Sequence, residues 1–325
     1  MDGKNFTLGM LTSGGDSPGM NPCIRAVVRA ASINNAQVLG VMDGFEGLIN
    51  SEFRPLGVRD VGGILQRGGT ILQTRRSARF LEPHFQREAI RNMNSVGMDG
   101  LIVVGGNGSL NGAHLLAKQG VKVVGIPASI DNDIWGTNMA IGVDTAMNTI
   151  MEAVDKLRDT AASHSRAFLI ETMGRDCGYL AVMAGIVCGA EMVLIPEVAV
   201  TVEEVARAIE DAYRRGKTHA IIIVAEGANV TTAELAAALE AEDVGFTTRV
   251  TILGHIQRGG SPTAFDRMLA SRLGVKAVEA LLSGESDVMV GLQGRDVELI
   301  PLAEVTSKSR TASTEYIEMA RMLAR

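Results

Sequence analysis

Short apolar runs alternate along most of the chain with longer stretches in which apolar positions recur every three or four residues. Runs of the first kind predict buried strands, and stretches of the second kind predict amphipathic helices. Strands are expected at Thr7–Thr12, about 36–42, Gly100–Val104, 121–126, Ala167–Ile170, Met192–Ile195, 219–225 and Arg249–Leu253. Helices are expected at Met20–Ile33, from near Ser109, at 142–159, 178–189, 201–215, 232–242 and Ala264–Leu282. Alternation of this kind implies an α/β fold with mostly parallel sheets and helices on both faces. Ser283-Gly284-Glu285-Ser286 reads as a short loop, and no repeat with a period of 20–50 residues is visible.

Polar and glycine-rich segments sit where the strands end, which is where open α/β sheets bind ligands. Ser13-Gly14-Gly15-Asp16-Ser17-Pro18-Gly19 and Gly105-Gly106-Asn107-Gly108-Ser109 each join a strand to a helix. Such turns let backbone N–H groups approach a phosphate, although neither has the spacing of a dinucleotide fingerprint or a Walker loop, and either alone suits a tight turn equally well. Pro127-Ala128-Ser129-Ile130-Asp131-Asn132-Asp133 follows the next strand. One of its carboxylates is suited to take a proton from a hydroxyl and the other to hold Mg²⁺. An acidic turn that caps the following helix is the plain alternative. Two neighbouring strand ends, one fit for phosphate and one acidic, together suggest phosphoryl transfer.

Further along, Arg75-Arg76-Ser77-Ala78-Arg79 forms a basic run flanked by small residues. Arg166, Met173-Gly174-Arg175, Glu226, Arg249, His255 and Arg258 fall near predicted strand ends. Arginine forks match phosphate oxygens, and a carboxylate accepts hydrogen bonds from sugar hydroxyls. Any one of these arginines taken alone is better read as a surface ion pair, and His255 alone as a loop histidine.

Composition narrows the partners. The 325 residues suffice for one large or two medium domains. Hydrophobic residues make up 46% and aromatics 4%, so the core is expected to be aliphatic, with methionine filling gaps. A net charge of −6 argues against nucleic acid as a main partner but leaves room for phosphorylated small molecules. Cys23, Cys177 and Cys188 have no metal-site spacing and suit reduced cytosolic thiols. Met1-Asp2-Gly3-Lys4-Asn5 lacks a signal pattern, and the most apolar stretch, Tyr179–Ile195, contains Glu191 and is too short to span a bilayer comfortably. A cytoplasmic protein with no membrane partner is expected.

The segments Leu11 to Asn21, Ile130-Asp131-Asn132-Asp133, Met173-Gly174-Arg175 and Leu253-Gly254-His255-Ile256-Gln257-Arg258-Gly259-Gly260-Ser261-Pro262 resemble, in order and over nearly the whole chain, the 6-phosphofructokinases. The resemblance implies two similar doubly wound domains with the active site in the cleft between them. Residues 1–142 plus 257–305 would bind nucleotide, and residues 143–256 plus 306–325 would bind fructose 6-phosphate. It implies transfer of the ATP γ-phosphoryl group to the sugar 1-hydroxyl, with Mg²⁺. Asp131 would be the general base, Ser129 would touch the transferring group, and Arg175 would stabilise its charge. Arg166, Arg249, His255 and Arg258 would grip the 6-phosphate, and Met173, Gly174 and Glu226 the sugar. Gly14, Arg76, Ser77, Gly106, Asn107, Gly108, Ser109 and Gly112 match the nucleotide side, with Arg79 a rival for the role of Arg76. Asn107 and Asp133 would face the metal. In the family the positions of Arg166 and Arg249 reach in from a neighbouring subunit, which implies a homo-oligomer, a dimer or tetramer. Arg25, Arg29, Arg158 and Glu191 match an effector site for ADP or phosphoenolpyruvate in regulated relatives.

Pyrophosphate-dependent relatives carry Asp at the position of Gly108 and Lys at that of Ala128, so the donor expected here is ATP. Asn107 replaces the usual Asp ligand, and a neutral amide is the poorer ligand for a hard cation. Three competing readings follow. They are pyrophosphate dependence, a catalytically weak sugar-phosphate-binding subunit, and an NAD or lipid kinase, whose families lack the 255–262 motif.

Overall fold

The computed structural model describes residues 6–242 and 244–324; the segment Met1–Asn5, read above for a leader, lies outside them. The chain divides into two compact units. Unit 1 comprises residues 6–129, 134–145 and 258–309, and unit 2 comprises 130–133, 146–257 and 310–324.

In chain order the elements begin with β1 (Thr7–Ser13), α1 (Met20–Ile33), β2 (Gln37–Val41), α2 (Phe45–Asn50) and β3 (Phe53–Leu56). Next come α3 (Pro83–Ser95), β4 (Gly100–Gly105), α4 (Asn107–Ala117), β5 (Val123–Pro127) and α5 (Val143–His164). The middle of the chain forms β6 (Arg166–Thr172), α6 (Tyr179–Cys188), β7 (Met192–Leu194), α7 (Val202–Arg214) and β8 (Ala220–Ala225). The rest is α8 (Thr232–Glu240), β9 (Thr247–Ile252), α9 (Ala264–Leu282), β10 (Val288–Gln293), β11 (Asp296–Pro301), α10 (Leu302–Ser307) and α11 (Thr314–Leu323). The expected strands and helices all occur, with ends shifted by a few residues. The largest shift is in α5, which continues to His164. α4 starts at Asn107, two residues before the predicted Ser109.

Unit 1 is built on a seven-stranded sheet in the order β11-β10-β5-β4-β1-β2-β3. Its five inner strands run parallel, and the edge strands β3 and β11 pair antiparallel with β2 and β10. β4 is buried at all six positions, as a strand covered on both faces requires. The core is aliphatic and methionine-containing, with Leu8, Met10, Ile102, Val104, Val124 and Ile126 fully buried. α1 and α9 cross closely on it: a Cβ at Gly274 would stand 2.9 Å from the Ala26 Cβ. From β1 the chain moves one way to β2 and then returns to the other side at β4. The gap between the ends of β1 and β4 is therefore a topological switch point, where a crevice opens for ligands.

Unit 2 has a four-stranded parallel sheet in the order β7-β8-β6-β9. β8 is buried throughout. α7 and α8 each begin with a capping box, Thr201 with Glu204 and Thr231 with Glu234, which satisfies two donors that a helix start leaves open. Cys177 and Cys188 are buried here, and burial pushes both thiols up to about 11. Among the described residues no helix is long and apolar enough to cross a membrane.

Candidate active site

In unit 1 the ends of β1, β4 and β5 lie side by side, with Ser13 opposite Gly105 and Gly105 opposite Pro127. The chain can crowd here only because glycines stand at the crossings. A Cβ on Gly105 would be 2.5 Å from the Ser13 carbonyl and 2.6 Å from the Ser109 Oγ. Gly14 turns with φ 87°, and a Cβ on it would lie 3.2 Å from that same hydroxyl. The Ala128 N–H donates to the Gly105 carbonyl at 3.0 Å, which brings Ser129 against Gly106. Gly14, Gly106, Ser109 and Ser129 thus share one crevice at the switch point. Gly108 is exposed in the first turn of α4, with no heavy atom within 4 Å of where its Cβ would be. That open flank at a helix N-terminus suits a phosphate chain. Asn107 is the first residue of the same helix. Gly112 has a different reason to be glycine: its α-carbon faces the Phe45 ring, where a Cβ would be 2.7 Å away.

The basic run divides by its partners. Arg79 donates from Nε and Nη2 to Glu46 at 2.9 and 2.6 Å and from Nη2 to Asn50 at 2.9 Å, and it lies over the Phe85 ring. The Glu46 carboxyl is lowered by that guanidinium first of all. Arg76, by contrast, is exposed on the loop, and Thr74 beside it donates to the Gly14 carbonyl at 2.8 Å. Ser77 accepts the Phe80 N–H at 3.3 Å. Arg258 belongs to unit 1, and its guanidinium lies directly over Gly15, where a Cβ would be 2.2 Å from Nη1.

In unit 2 the ends of β8, β6 and β9 are neighbours. The Glu226 N–H donates to the Thr172 carbonyl at 2.8 Å, and the Leu253 N–H to the Glu171 carbonyl at 3.1 Å. Met173-Gly174-Arg175 leaves β6 between them. Glu226 fixes this loop, one carboxylate oxygen accepting the N–H of Gly174 at 3.2 Å and of Arg175 at 2.9 Å. Gly174 has φ 139° and Arg175 φ 50°, a left-handed conformation that a non-glycine residue adopts at a cost. Gly227 lets the loop sit there, since a Cβ on it would be 2.0 Å from the Arg175 carbonyl. The Arg175 Nε lies 3.4 Å from the Oδ2 of Asp131, a carboxylate that is only 4% exposed. Asn132, fully buried with φ 52°, makes the turn between Asp131 and Asp133.

Gln257 was not assigned a role from the sequence. It is fully buried, accepts the Met173 N–H at 3.3 Å and donates to the Gly254 carbonyl at 3.0 Å, so it ties the His255 loop to Met173. Its signal was its place between His255 and Arg258 in the motif. His255 itself is exposed beside it.

Arg166 and Arg249 do not join this group. Arg166 starts β6, six residues before the end that carries Arg175, or about 20 Å along the strand. Arg249 pairs with Phe168 in the same register, about 13 Å short of that end. It lies on the edge strand β9, whose Val250 and Ile252 are 41% and 62% exposed. The residues matched to an effector site include a local pair in unit 2. There Arg158 donates to the Cys188 carbonyl and approaches His219, and Glu191 holds Lys217 at 2.9 Å and the Ile221 N–H at 2.5 Å. Among the described residues no group of three or more His, Cys, Asp or Glu is placed to hold a metal by itself. Mg²⁺ is commonly bound by one or two carboxylates together with substrate phosphates, and the donor set around Asp131 and Asp133 fits that use.

Known proteins resemble the chain over nearly its whole length. The profile of the phosphofructokinase family matches residues 7–281. The chain is 51% identical to the ATP-dependent 6-phosphofructokinase of Thermotoga neapolitana over 98% of its own length and 99% of that protein. It is 48% identical to ATP-dependent 6-phosphofructokinase 1 of Thermus thermophilus with the same coverage. Among solved structures, the phosphofructokinase of Pichia pastoris in the T-state superposes with a TM-score of 0.90 at 37% identity. That match covers 94% of this chain and 36% of the longer yeast chain. A pyrophosphate-dependent phosphofructokinase from Marinobacter aquaeolei shares the fold, with a TM-score of 0.86 at 17% identity over 98% of this chain and 91% of that one.

Proposed function

The chain belongs to the phosphofructokinase family, and from that premise we propose which of its residues carry out each part of the reaction. The protein is an ATP-dependent 6-phosphofructokinase: it phosphorylates fructose 6-phosphate at the 1-hydroxyl, giving fructose 1,6-bisphosphate and ADP, in glycolysis. The single observation that carries the assignment of roles is the buried Asp131 with the Arg175 guanidinium at 3.4 Å. An Asp131 oxygen takes the proton of the 1-hydroxyl as its oxygen bonds to the γ-phosphorus and the bond to the β-phosphate oxygen breaks. Arg175 follows the negative charge spread over the transferring group, and the Ser129 hydroxyl donates to one of its oxygens.

The crevice of unit 1 holds the nucleotide. Gly14, Gly106, Gly108 and Ser109 line the phosphates, and Arg76 with Ser77 closes on them from the 74–79 loop. Arg258 and His255 grip the sugar 6-phosphate, while Met173, Gly174 and the exposed side of Glu226 hold the sugar. Asp133 and Asn107 would hold Mg²⁺ through their side-chain oxygens, and the ion would supply positive charge against the phosphates. Arg166 and Arg249 serve the site of a neighbouring copy in a homo-oligomer, a reading supported by their place away from the Arg175 end of the sheet. The protein acts in the cytoplasm. Arg158 and Glu191, with Arg25 and Arg29, are the candidates for response to ADP or phosphoenolpyruvate; a saturation curve for fructose 6-phosphate indifferent to both would remove that role.

The assignment is tested by Asp131→Asn. Turnover should fall about 10²- to 10⁴-fold, the usual share of a general base, with fructose 6-phosphate affinity little changed. Near-normal turnover would sink the role given to Asp131.

A further inference from the structure

Unit 2 ends in a segment that runs past both of its chemistry-bearing loops before α11 packs on α6 and β7. At Arg310 the backbone N–H donates to the Asp133 carbonyl at 3.1 Å, one turn residue away from Asp131. The Arg310 guanidinium lies 5.5 Å from the centroid of the Tyr179 ring, and Tyr179 is the first residue of α6. Two residues on, the Ala312 N–H donates to the Glu197 Oε1 at 2.8 Å. That same carboxylate accepts the Gly178 N–H, at 2.9 Å on Oε1 and 3.1 Å on Oε2. Gly178 is the N-cap of α6 and has no cap from its own side chain, so Glu197 supplies from a distance the acceptor that a helix start needs. The fit is close: a Cβ on Gly178 would be 2.6 Å from the Glu197 Oε2. The helix it caps is where the Met173–Gly178 loop ends, and that loop is closed by the Cys177 N–H on the Gly174 carbonyl at 3.0 Å.

These contacts make one chain of connections. Glu197 holds the far end of the loop that carries Arg175, the Arg310 backbone N–H holds the turn that carries Asp131 while its guanidinium packs on Tyr179 at the start of α6, and two residues of backbone join the two anchors. The Cys177 thiol sits among them. Burial above all raises it; a backbone hydrogen bond from Tyr179 lowers it, the charges of Glu197 and Asp133 raise it and that of Arg310 lowers it. Glu197 and Arg310 thus act on the two loops through the segment that joins them, where a misplacement of about 1 Å can cost about 10²-fold in rate.

We propose that Glu197 and Arg310 are positioning residues for phosphoryl transfer, forming a clip that sets the approach of the Arg175 guanidinium to the Asp131 carboxylate. The proposal rests on the reading that Asp131 and Arg175 carry the chemistry.

The test compares E197A, E197Q, R310A, R310K and the double variant E197A/R310A with the parent and with D131N. Readouts are kcat, the KM for each substrate, and thermal melting. The expected result is a kcat lowered about 10- to 100-fold in E197A and R310A, with both KM values within about threefold of the parent. E197Q keeps an acceptor and the shape, and R310K keeps a cation over the ring, so each should recover most of the loss. The double variant should lose no more than about threefold beyond the worse single one, because either break releases the same clip. A merely structural role would instead lower the melting temperature while kcat stayed within about threefold, and that outcome overturns the proposal. Losses that multiply in the double variant, or that fall on KM, overturn it too. If E197A fails to fold, R310A decides, since it removes the guanidinium packed on the Tyr179 ring, which ties this segment to the start of α6. A near-parental D131N removes the base assignment and the clip with it; near-parental E197A and R310A remove the clip and leave the base in place.

Discussion

Two arginines three residues apart, Arg76 and Arg79, show what decides a side chain's role in this protein. Both sit in a run that the sequence alone aligns with nucleotide binding in two ways. The structure separates them by what already holds each: Arg79 is engaged by Glu46, Asn50 and Phe85, whereas Arg76 points from an exposed loop beside the Gly14 turn. Arg76→Ala should raise the KM for ATP about 10- to 100-fold, the usual worth of a hydrogen bond to a charged group, and leave the melting temperature unchanged. Arg79→Ala should do the reverse, lowering the melting temperature with the KM for ATP intact. An Arg79→Ala variant that loses ATP affinity at unchanged stability would exchange the two assignments. What the residues announced in advance was chemistry that needs a residue type at a fixed place, such as the glycines at the strand crossings and Asp131 after β5. What they could not announce was partnership across long separations. Glu46 lies 33 positions from Arg79, and the bond from Met173 to Gln257 spans 84 positions.

At the level of elements, the joint between α5 and α9 is where burial and charge meet most sharply. Asp266 is fully buried near the start of α9. One oxygen accepts the Gly142 N–H at 2.9 Å, and the other accepts the N–H and hydroxyl of Thr145 at 2.8 and 2.5 Å. It caps α5, while Thr263 caps α9 and donates to Asp144 at 2.6 Å, so two helix starts cap each other. Asp266→Ala leaves buried donors without acceptors and should cost about 2–4 kcal/mol in urea unfolding. Burial raises the Asp266 carboxyl above its ordinary 3.8, against the opposing hydrogen bonds from Thr145 and Gly142. A raised acid binds its proton more tightly folded than unfolded. The stability it contributes is therefore complete below pH 3.8 and is lost as pH rises through the folded value. The gap between parent and Asp266→Ala should narrow from pH 4 toward neutrality, and a gap that widened would contradict this. Periodicity made the long central elements legible, since β4 and β8 are apolar throughout and the buried face of α9 is aliphatic apart from Asp266 and Gly274. The edge elements went unread because little of them is apolar and buried, and the inner strand β10, apolar at 288–290, was not read either. β3 is four residues long and contains Pro55, which only an edge strand tolerates, and β11 buries only one of its six positions fully. α3 offers only a narrow apolar stripe around Ala89 and Met93.

For the whole molecule, the informative fact is a separation within one sheet. The strands of unit 2 are parallel, so everything at their C-terminal ends is gathered together, and Arg166 and Arg249 are left lower down the same sheet. Sequence proximity to a strand end said nothing of which end, and the register of β6 with β9 settles it. A two-fold interface is self-complementary: if one subunit lends Arg249 to its partner, it receives Arg249 in return. That symmetry permits a test that no single variant offers. Arg249→Ala and Asp131→Asn should each be nearly inactive alone. When the two are unfolded together and refolded at equal concentration, half of the dimeric pairs are mixed. Each mixed pair contains one site with both Asp131 and Arg249 intact and one site lacking both. About a quarter of parental turnover should return, with a near-parental KM for fructose 6-phosphate in the recovered fraction. If Arg249 instead serves its own chain, every site in the mixture lacks one of the two residues, and activity stays at the average of the two parents. Recovery with Asp131→Asn but none between Arg249→Ala and Arg166→Ala, two lesions on the lending side of the same subunit, would further place both arginines on the contributed surface.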